Sequence, residues 1–333
     1  MGRITINDVA KEASVSKSTV SQFLNNRYEY MSEETRGKIA KAIEKLNYQP
    51  NIVARSLKQK STKTIGVIVA NIVHTFSTHI INQLEMHFHE QGFNIMVCNA
   101  GDEPKREREH IEMLIAKQVD GIIAFPTGGN IDLYKRLYES RFPIVFIDRK
   151  IDSLPIPSVL LDNLLASSMA VDAFVKKGYK QIAIITNSID QPITPRIERL
   201  AGFKEALEKQ GLPITEQHIK AVPVDEVQET IEMLMKDIKP DAILAANDRV
   251  LIELLRYVRK KGLKIPQDLG VIGIDEVPYA SFFEPPISTI EQPADQIALQ
   301  ASTILVKQIS NQYESNSQSI YRFDPLLNER QSY

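Results

Sequence analysis

From Thr64 onward the chain alternates short apolar runs with longer amphipathic stretches, and no other feature restricts its fold so tightly. The runs are IGVIVA, NIMVC, GIIAF, PIVFI, QIAII, DAILAA and GVIGI. Between them, helical periodicity predicts helices over 79–91, 106–117, 164–177, 198–210, 226–237 and 249–261. Short apolar runs separated by amphipathic helices build parallel sheets with helices on both faces. There are enough units for two lobes, one over 64–161 and one over 162–290. The segment STIEQPADQ then crosses back, so that a last helix over about 293–310, and with it the whole of 291–333, rejoins the first lobe. The expected class is α/β: a two-lobed body of doubly wound parallel sheets behind an all-α N-terminal domain.

Polar residues stand just beyond each run: Asn71, Asn99, Thr127, Asp148 with Arg149, Thr186 with Asn187, Asn247 with Asp248, and Asp275. Ligands of open α/β sheets bind beyond the carboxyl ends of the strands, so these side chains should converge on one cleft. Any one of them could instead cap the following helix. As a set of seven they read better as a polar pocket. Arg149, Arg196 and Arg199 could grip a carboxylate in bidentate fashion, while Asp148, Asp275 and Asn247 could bond hydroxyls. Phe76 and Ser77 follow the first run; with no Trp in the chain, an apolar platform must be Phe or Tyr. The competing reading of Arg196 and Arg199 is a surface ion pair with Glu198, Glu205 or Asp190.

Several classes are excluded or disfavoured. Cys98 is the only cysteine, which excludes an intramolecular disulfide and fits a reducing compartment. No apolar run approaches a membrane span, and MGRITINDVAKEA lacks a signal-peptide core, so the cytoplasm is the expected location. Phosphate-loop, dinucleotide and nucleophile-elbow motifs are missing, so no cofactor and no enzymatic activity are expected. His87 and His89 fall on different helix faces and lack partners for a metal. TGGN at 127–130 reads as a turn.

The first 63 residues carry 12 Lys and Arg against 6 Asp and Glu, and the remainder 28 against 36. A basic module joined to an acidic body suggests that the module alone meets a polyanion. Thr5 caps a first helix with Val9, Ala10 and Ala13 on its apolar side. ASVS is a tight turn, Ser16 caps a second helix buried through Val20, Phe23 and Leu24, and Ser32 starts a third whose Ile39, Ala42, Ile43 and Leu46 cover the pair. Two short helices around a tight turn read as helix-turn-helix. The second helix leaves Lys17, Ser18, Ser21, Gln22 and Asn25 outside. Such side chains can meet base edges in a major groove, while Ser16, Thr19 and Asn25 can reach phosphates. After this 1–49 domain, the 50–63 segment runs from Pro50 through a short helical stretch to a Lys/Ser/Thr linker. Its Leu57 sits among Arg55, Lys58 and Lys60, the composition of a minor-groove wedge held by phosphate contacts.

TINDVAKEASVSKSTVSQFLNN, LNYQPNIVARSLKQKST and GVIGIDEVP together resemble the lactose-repressor family of bacterial transcription regulators over nearly the whole chain. The resemblance implies a homodimer on double-stranded operator DNA, with paired hinge helices in the minor groove and a body like a periplasmic sugar-binding protein. By position it makes Lys17 and Ser18 base readers, Ser21 and Asn25 backbone contacts and Leu57 the wedge, with Thr5, Asn51, Ala54 and Arg55 among the DNA contacts. It also makes Asp275 an effector contact and places Arg199 where some members use an arginine. Gln22 departs from the family's usual Arg, which turns the expected preference from guanine toward adenine. Ile197 stands where many members have Arg, with Arg196 beside it. VIVANIVHTFST, TPRIER and GIDEVPYASFFEPP are similar to the branch answering to 2-keto-3-deoxygluconate, a sugar acid. The implied protein is a repressor controlled by a carbohydrate effector, nucleoid-associated when bound to DNA. The alternative is a solute-binding or sugar-metabolising protein whose N-terminal helices only dock a partner.

Overall fold

The computed structural model describes residues 4–49, 61–313 and 319–333. Two compact units divide the chain, Met1–Thr62 and Lys63–Tyr333.

Three helices form the described part of the first unit: α1 (Ile6–Glu12), α2 (Lys17–Leu24) and α3 (Glu33–Lys45). The carboxylate of Asp8 accepts from both the backbone N–H and the hydroxyl of Thr5 at 2.8 and 2.7 Å, which closes the first turn of α1 and lowers the pKa of Asp8. Ser16 and Ser32 cap α2 and α3 by accepting from Thr19 N and Thr35 N. The turn between α1 and α2 depends on Ser14 at φ 54°. Val9, Val20 and Ile39 are fully buried together, so three helices too short to persist alone share one core.

The second unit holds two six-stranded sheets. The first lobe runs β1 (Thr64–Val69), α4 (Thr75–Glu90), β2 (Asn94–Asn99), α5 (Pro104–Ala116), β3 (Gly121–Ala124), α6 (Ile131–Glu139), β4 (Ile144–Ile147) and β5 (Ser158–Leu161). The second runs α7 (Asn163–Lys176), β6 (Ile182–Asn187), α8 (Thr194–Lys209), β7 (Ile219–Val222), α9 (Val227–Asp237), β8 (Ala242–Ala245), α10 (Asp248–Lys261), β9 (Gly270–Ile274) and β10 (Ser288–Glu291). The chain then gives α11 (Ala294–Ile309), β11 (Ile320–Phe323) and β12 (Leu326–Asn328). Strand orders are β11-β5-β4-β3-β1-β2 and β12-β10-β9-β8-β6-β7. Every pairing is parallel except that of β12 with β10. Each order reverses beside its first strand, at β1/β3 and β6/β8, which opens a crevice at the carboxyl ends.

The seven apolar runs all become strands. The helix α6 and the strands β5 and β7 lie outside the periodicity reading. α6 is nine residues long, and β7 sits at a sheet edge, half-buried throughout, so IKAV never forms an apolar run. The helix α11 does return to the first lobe, where Ile297, Ala301 and Leu305 pack in the same core as Ile80, Leu84 and Phe88 of α4. The 291–333 segment does not all follow it. β11 joins the first sheet beside β5, but β12 pairs with β10 in the second. Ser332 then accepts from Ser288 N at 2.8 Å and Tyr333 packs edge-on to Phe174, so the C-terminus completes the core of the second lobe. The chain therefore passes between the lobes three times. Arg322 on β11 grips Glu198 on α8 bidentately at 3.0 and 2.7 Å across that junction.

Candidate functional site

The carboxyl ends of the two sheets face one cleft that encloses about 550 Å³, counting space open to solvent. Phe76, Ser77, Asp148, Arg149, Arg196, Arg199, Asn247 and Asp275 all line it, together with Asn71, Thr186 and Asn187. Of the other strand-end residues, Asn99 accepts from Ile72 N and Gly101 N and shapes its own loop. Thr127 is turned to Glu107, and Asp248 to His74 and Thr75.

Asp148 and Asp275 follow β4 and β9, the corresponding strands of the two lobes, and both adopt left-handed backbone at φ 67° and 83°. Non-glycine residues there cost roughly 1–3 kcal/mol, a strain typical of functional positions. Asp275 is buried, accepts from Gln292 Nε2 at 2.6 Å and from Asp248 N at 3.4 Å. Burial raises its pKa; the Arg199 charge opposes this, and the Asp248 charge adds to it. Asn247 shows that one side chain can serve two ends: its Oδ1 caps α10 by accepting from Arg249 N and Val250 N, and the residue still lines the cleft.

Arg196 and Arg199 are held by neutral groups, and Arg149 by the carboxylate of Asp102. Arg199 donates to Asn163 Oδ1 at 2.9 Å and to the Ala246 carbonyl at 2.6 Å. Arg196 donates to the Ser188 carbonyl at 2.7 Å, and burial with the nearby Arg149 charge pulls its pKa down. Arg149 reaches Asp102 Oδ1 at 3.0 Å, while its Nε is buried without a hydrogen bond, 3.5 Å from Asp148 Oδ2. The surface-pair reading of Arg196 and Arg199 therefore fails for Glu198, which binds Arg322 and Asn163 instead. Ile197, next to Arg196, is exposed and turned away, so position 196 supplies the cation to the cleft. Arg149 is offset by Asp102, while Arg196 and Arg199 donate to neutral oxygens, a setting for an anionic solute.

Two more atoms await partners. Asn187 Oδ1 and Gln292 Oε1 are buried acceptors with no hydrogen bond among the described residues, and both residues line the cleft. Buried polar atoms are nearly always satisfied, so each suits a donor brought by a ligand, such as a hydroxyl. Phe76 stands edge-on to Phe125 at 6.5 Å and supplies the apolar wall. Gln292 and His74 are not singled out by the sequence: Gln292 arrives on the crossover before α11, and His74 stands four residues past the first run rather than just beyond it.

In the first unit, Lys17, Ser18 and Gln22 are exposed on α2, and Thr5, Thr19, Ser21 and Asn25 lie exposed or half-buried around it. The hydroxyls of Ser16, Ser18 and Thr19 form a cluster at 2.6 and 2.8 Å over the N-terminus of α2, and Asn25 donates back to the Ser21 carbonyl at 2.6 Å. Asn51, Ala54, Arg55 and Leu57 lie outside the described residues. His79, His87 and His89 sit on α4, with His87 Nε2 3.3 Å from Asp295 Oδ1 of α11. No group of three ligating side chains meets among the described residues, and no described helix is long and apolar enough to cross a membrane.

Residues 5–51 match the model of the bacterial regulatory proteins of the lacI family, and residues 171–333 match the periplasmic binding protein-like domain. The chain is 42% identical over 332 residues to the probable HTH-type transcriptional regulator EndR of Paenibacillus polymyxa, covering 98% of each. It is 34% identical over 312 residues to the HTH-type transcriptional regulator KdgR of Bacillus subtilis (strain 168), covering 92% of each. Among solved structures, the lac repressor dimer bound to operator and the anti-inducer ONPF is similar with a TM-score of 0.86 at 25% identity, over 99% of both chains.

Proposed function

The chain belongs to the lacI family of bacterial regulatory proteins, and from that premise we propose that it is a dimeric repressor whose grip on operator DNA is set by a sugar acid bound between the two lobes. The observation that carries the effector class is the convergence of Arg149, Arg196 and Arg199 on a cleft that also holds two unsatisfied amide oxygens. Arginine forks suit a carboxylate, and the amide oxygens suit hydroxyls. The compound with the best support from the sequence is 2-keto-3-deoxygluconate.

On DNA, Lys17, Ser18 and Gln22 on the exposed side of α2 read base edges in the major groove. Thr5, Ser16, Thr19, Ser21 and Asn25 hold phosphates, and Asn51, Ala54, Arg55 and the Leu57 wedge act at the minor groove. An effector that weakens DNA binding must itself bind the DNA complex more weakly, by the same factor. No step in this scheme calls for a catalytic group.

The test is a melting-temperature titration of the full-length protein with 2-keto-3-deoxygluconate, D-gluconate and D-glucose. Hits are then repeated by fluorescence anisotropy on selected DNA at two salt concentrations. Stabilisation by the acids alone, with altered DNA affinity and a steep loss of binding as salt rises, is the expected result. Salt-independent DNA retention, or acid binding that leaves DNA affinity unchanged, overturns it.

A further inference from the structure

A second cavity opens beside the charged cleft and encloses about 560 Å³, counting space open to solvent, as much as the first. Arg149 and Ile193 line both, so the two spaces are neighbours along one groove between the lobes. The first lobe supplies Pro126–Gly129, and the second supplies Gln191–Thr194.

Its walls are set by the chain itself. Glu107 is fully buried, and its carboxylate accepts four bonds: Thr127 N at 3.1 Å, Thr127 Oγ1 at 2.6 Å, Asn130 Nδ2 at 2.6 Å and Tyr134 Oη at 2.7 Å. A buried carboxylate persists where its lone pairs are met, and all four bonds anchor the 127–130 loop and the helix that follows it. At Gly129 a Cβ would lie 2.4 Å from Pro104 Cβ, so the loop is packed hard against α5. At Gly128, φ is +94° and the Cβ position is open, which leaves bare backbone at the wall. On the opposite side, Thr194 Oγ1 accepts from Lys150 N at 3.0 Å.

The chemistry of this compartment differs from that of the first. The Thr127 hydroxyl donates to Glu107, Thr194 Oγ1 accepts from Lys150 N, and the Lys150 ammonium is paired with Asp152. The surfaces left for a ligand are the rings of Pro126 and Pro192, Ile193, glycine backbone and the exposed amide of Gln191, with Arg149 only on the side shared with the first cleft. These suit a neutral ring with apolar faces and a polar rim, which describes a pyranose.

We infer that the effector is a two-unit molecule, an aldonic acid unit on the arginines joined to a neutral sugar ring in the second compartment. This rests on the reading of the cleft as a sugar-acid site and extends it from a monosaccharide to an aldobionic acid. The test is calorimetry on the full-length protein with 2-keto-3-deoxygluconate, D-gluconate and 4-O-β-D-glucopyranosyl-D-gluconate. The disaccharide acid is expected to bind at least tenfold tighter than gluconate. Gln191→Trp, at an exposed position on the second compartment, is expected to remove that advantage while leaving gluconate affinity and melting temperature unchanged. Binding of either monosaccharide acid with equal or weaker binding of the disaccharide acid overturns the inference and leaves the sugar-acid reading standing. Failure of all three to bind a protein that still binds DNA overturns both.

Discussion

His74→Asn should loosen the two lobes, and by an amount that depends on pH. His74 precedes α4 in the first lobe, and its Nδ1 lies 2.6 Å from Oδ1 of Asp248, the first residue of α10 in the second. The other oxygen of Asp248 accepts from Thr75 N at 2.7 Å, so one carboxylate, 5% exposed, clasps both lobes. Burial alone would lower the imidazole pKa; the hydrogen bond and charge of Asp248, with Asp275 and Asp102 beyond, outweigh it and raise the pKa above 6.5. Burial likewise works to raise the pKa of Asp248, and the bonds and charge from His74 and Thr75 bring it below 3.8. The His74 contribution is therefore complete below pH 6.5 and fades as pH climbs through its raised value. The Asp248 contribution is complete above pH 3.8 and is lost as pH falls through its lowered value. The clasp is strongest between these limits and weakens on the alkaline side.

A hydrogen bond to a charged partner contributes about 1.5–3 kcal/mol, or roughly 10- to 150-fold in the closure equilibrium. Asparagine keeps a neutral donor, so His74→Asn should sit near the lower figure and His74→Ala near the upper. The assay is urea unfolding of ligand-free wild type and variants at pH 6 and pH 8.5, which separates the clasp from any contact His74 makes with an effector. The stability gap between wild type and His74→Asn should be present at pH 6 and shrink at pH 8.5. An equal gap at both pH values, or none at pH 6, would refute the reasoning.

Three further expectations follow from the same residues. Arg196→Gln should weaken sugar-acid binding about 10- to 100-fold, the scale of one charge-assisted contact, and leave DNA affinity intact; calorimetry with gluconate checks it. Gln22→Arg should shift one base per half-site from adenine toward guanine by about 1–3 kcal/mol, read out by selection from a randomised duplex. Leu57→Ala should cost a few kcal/mol of specific DNA binding, about the energy of an unstacked step, with melting temperature unchanged; equal operator affinity would remove the wedge.

Much of the cleft was legible because it obeys a rule of position: a polar residue following a buried strand lies at the carboxyl edge of the sheet. Asn71, Asp148, Asn187, Asn247 and Asp275 were found in that way. The rule fails for groups that come from elsewhere. Gln292 reaches the cleft on a crossover whose course depends on where α11 docks, and His74 on a loop whose partner, Asp248, is 174 residues away. The partition of the C-terminal segment was hidden for a similar reason. Nothing in LLN marks it for one sheet over the other, and the choice rests on long-range pairing with β10 and on the seat of Tyr333 against Phe174. Arg196 and Arg199 show the converse, since one neighbour that suggested an ion pair, Glu198, is given by the structure to Arg322.

The matched positions of Asp148 and Asp275 explain how a nearly duplicated body makes an asymmetric site. Both carboxylates leave the corresponding strand through the same left-handed turn, so the fold delivers them alike. Their surroundings then divide their chemistry. Asp148 lies against Arg149, whose Nε is 3.5 Å away. Asp275 is buried, held by Gln292, and inclined toward its neutral form by burial. Both of its oxygens accept from the protein, and the buried Oδ1 of Asn187 and Oε1 of Gln292 add further acceptors to the cleft. Equivalent backbone positions in the two lobes thus present unlike carboxyls to the cleft, one beside a cation and one held by an amide.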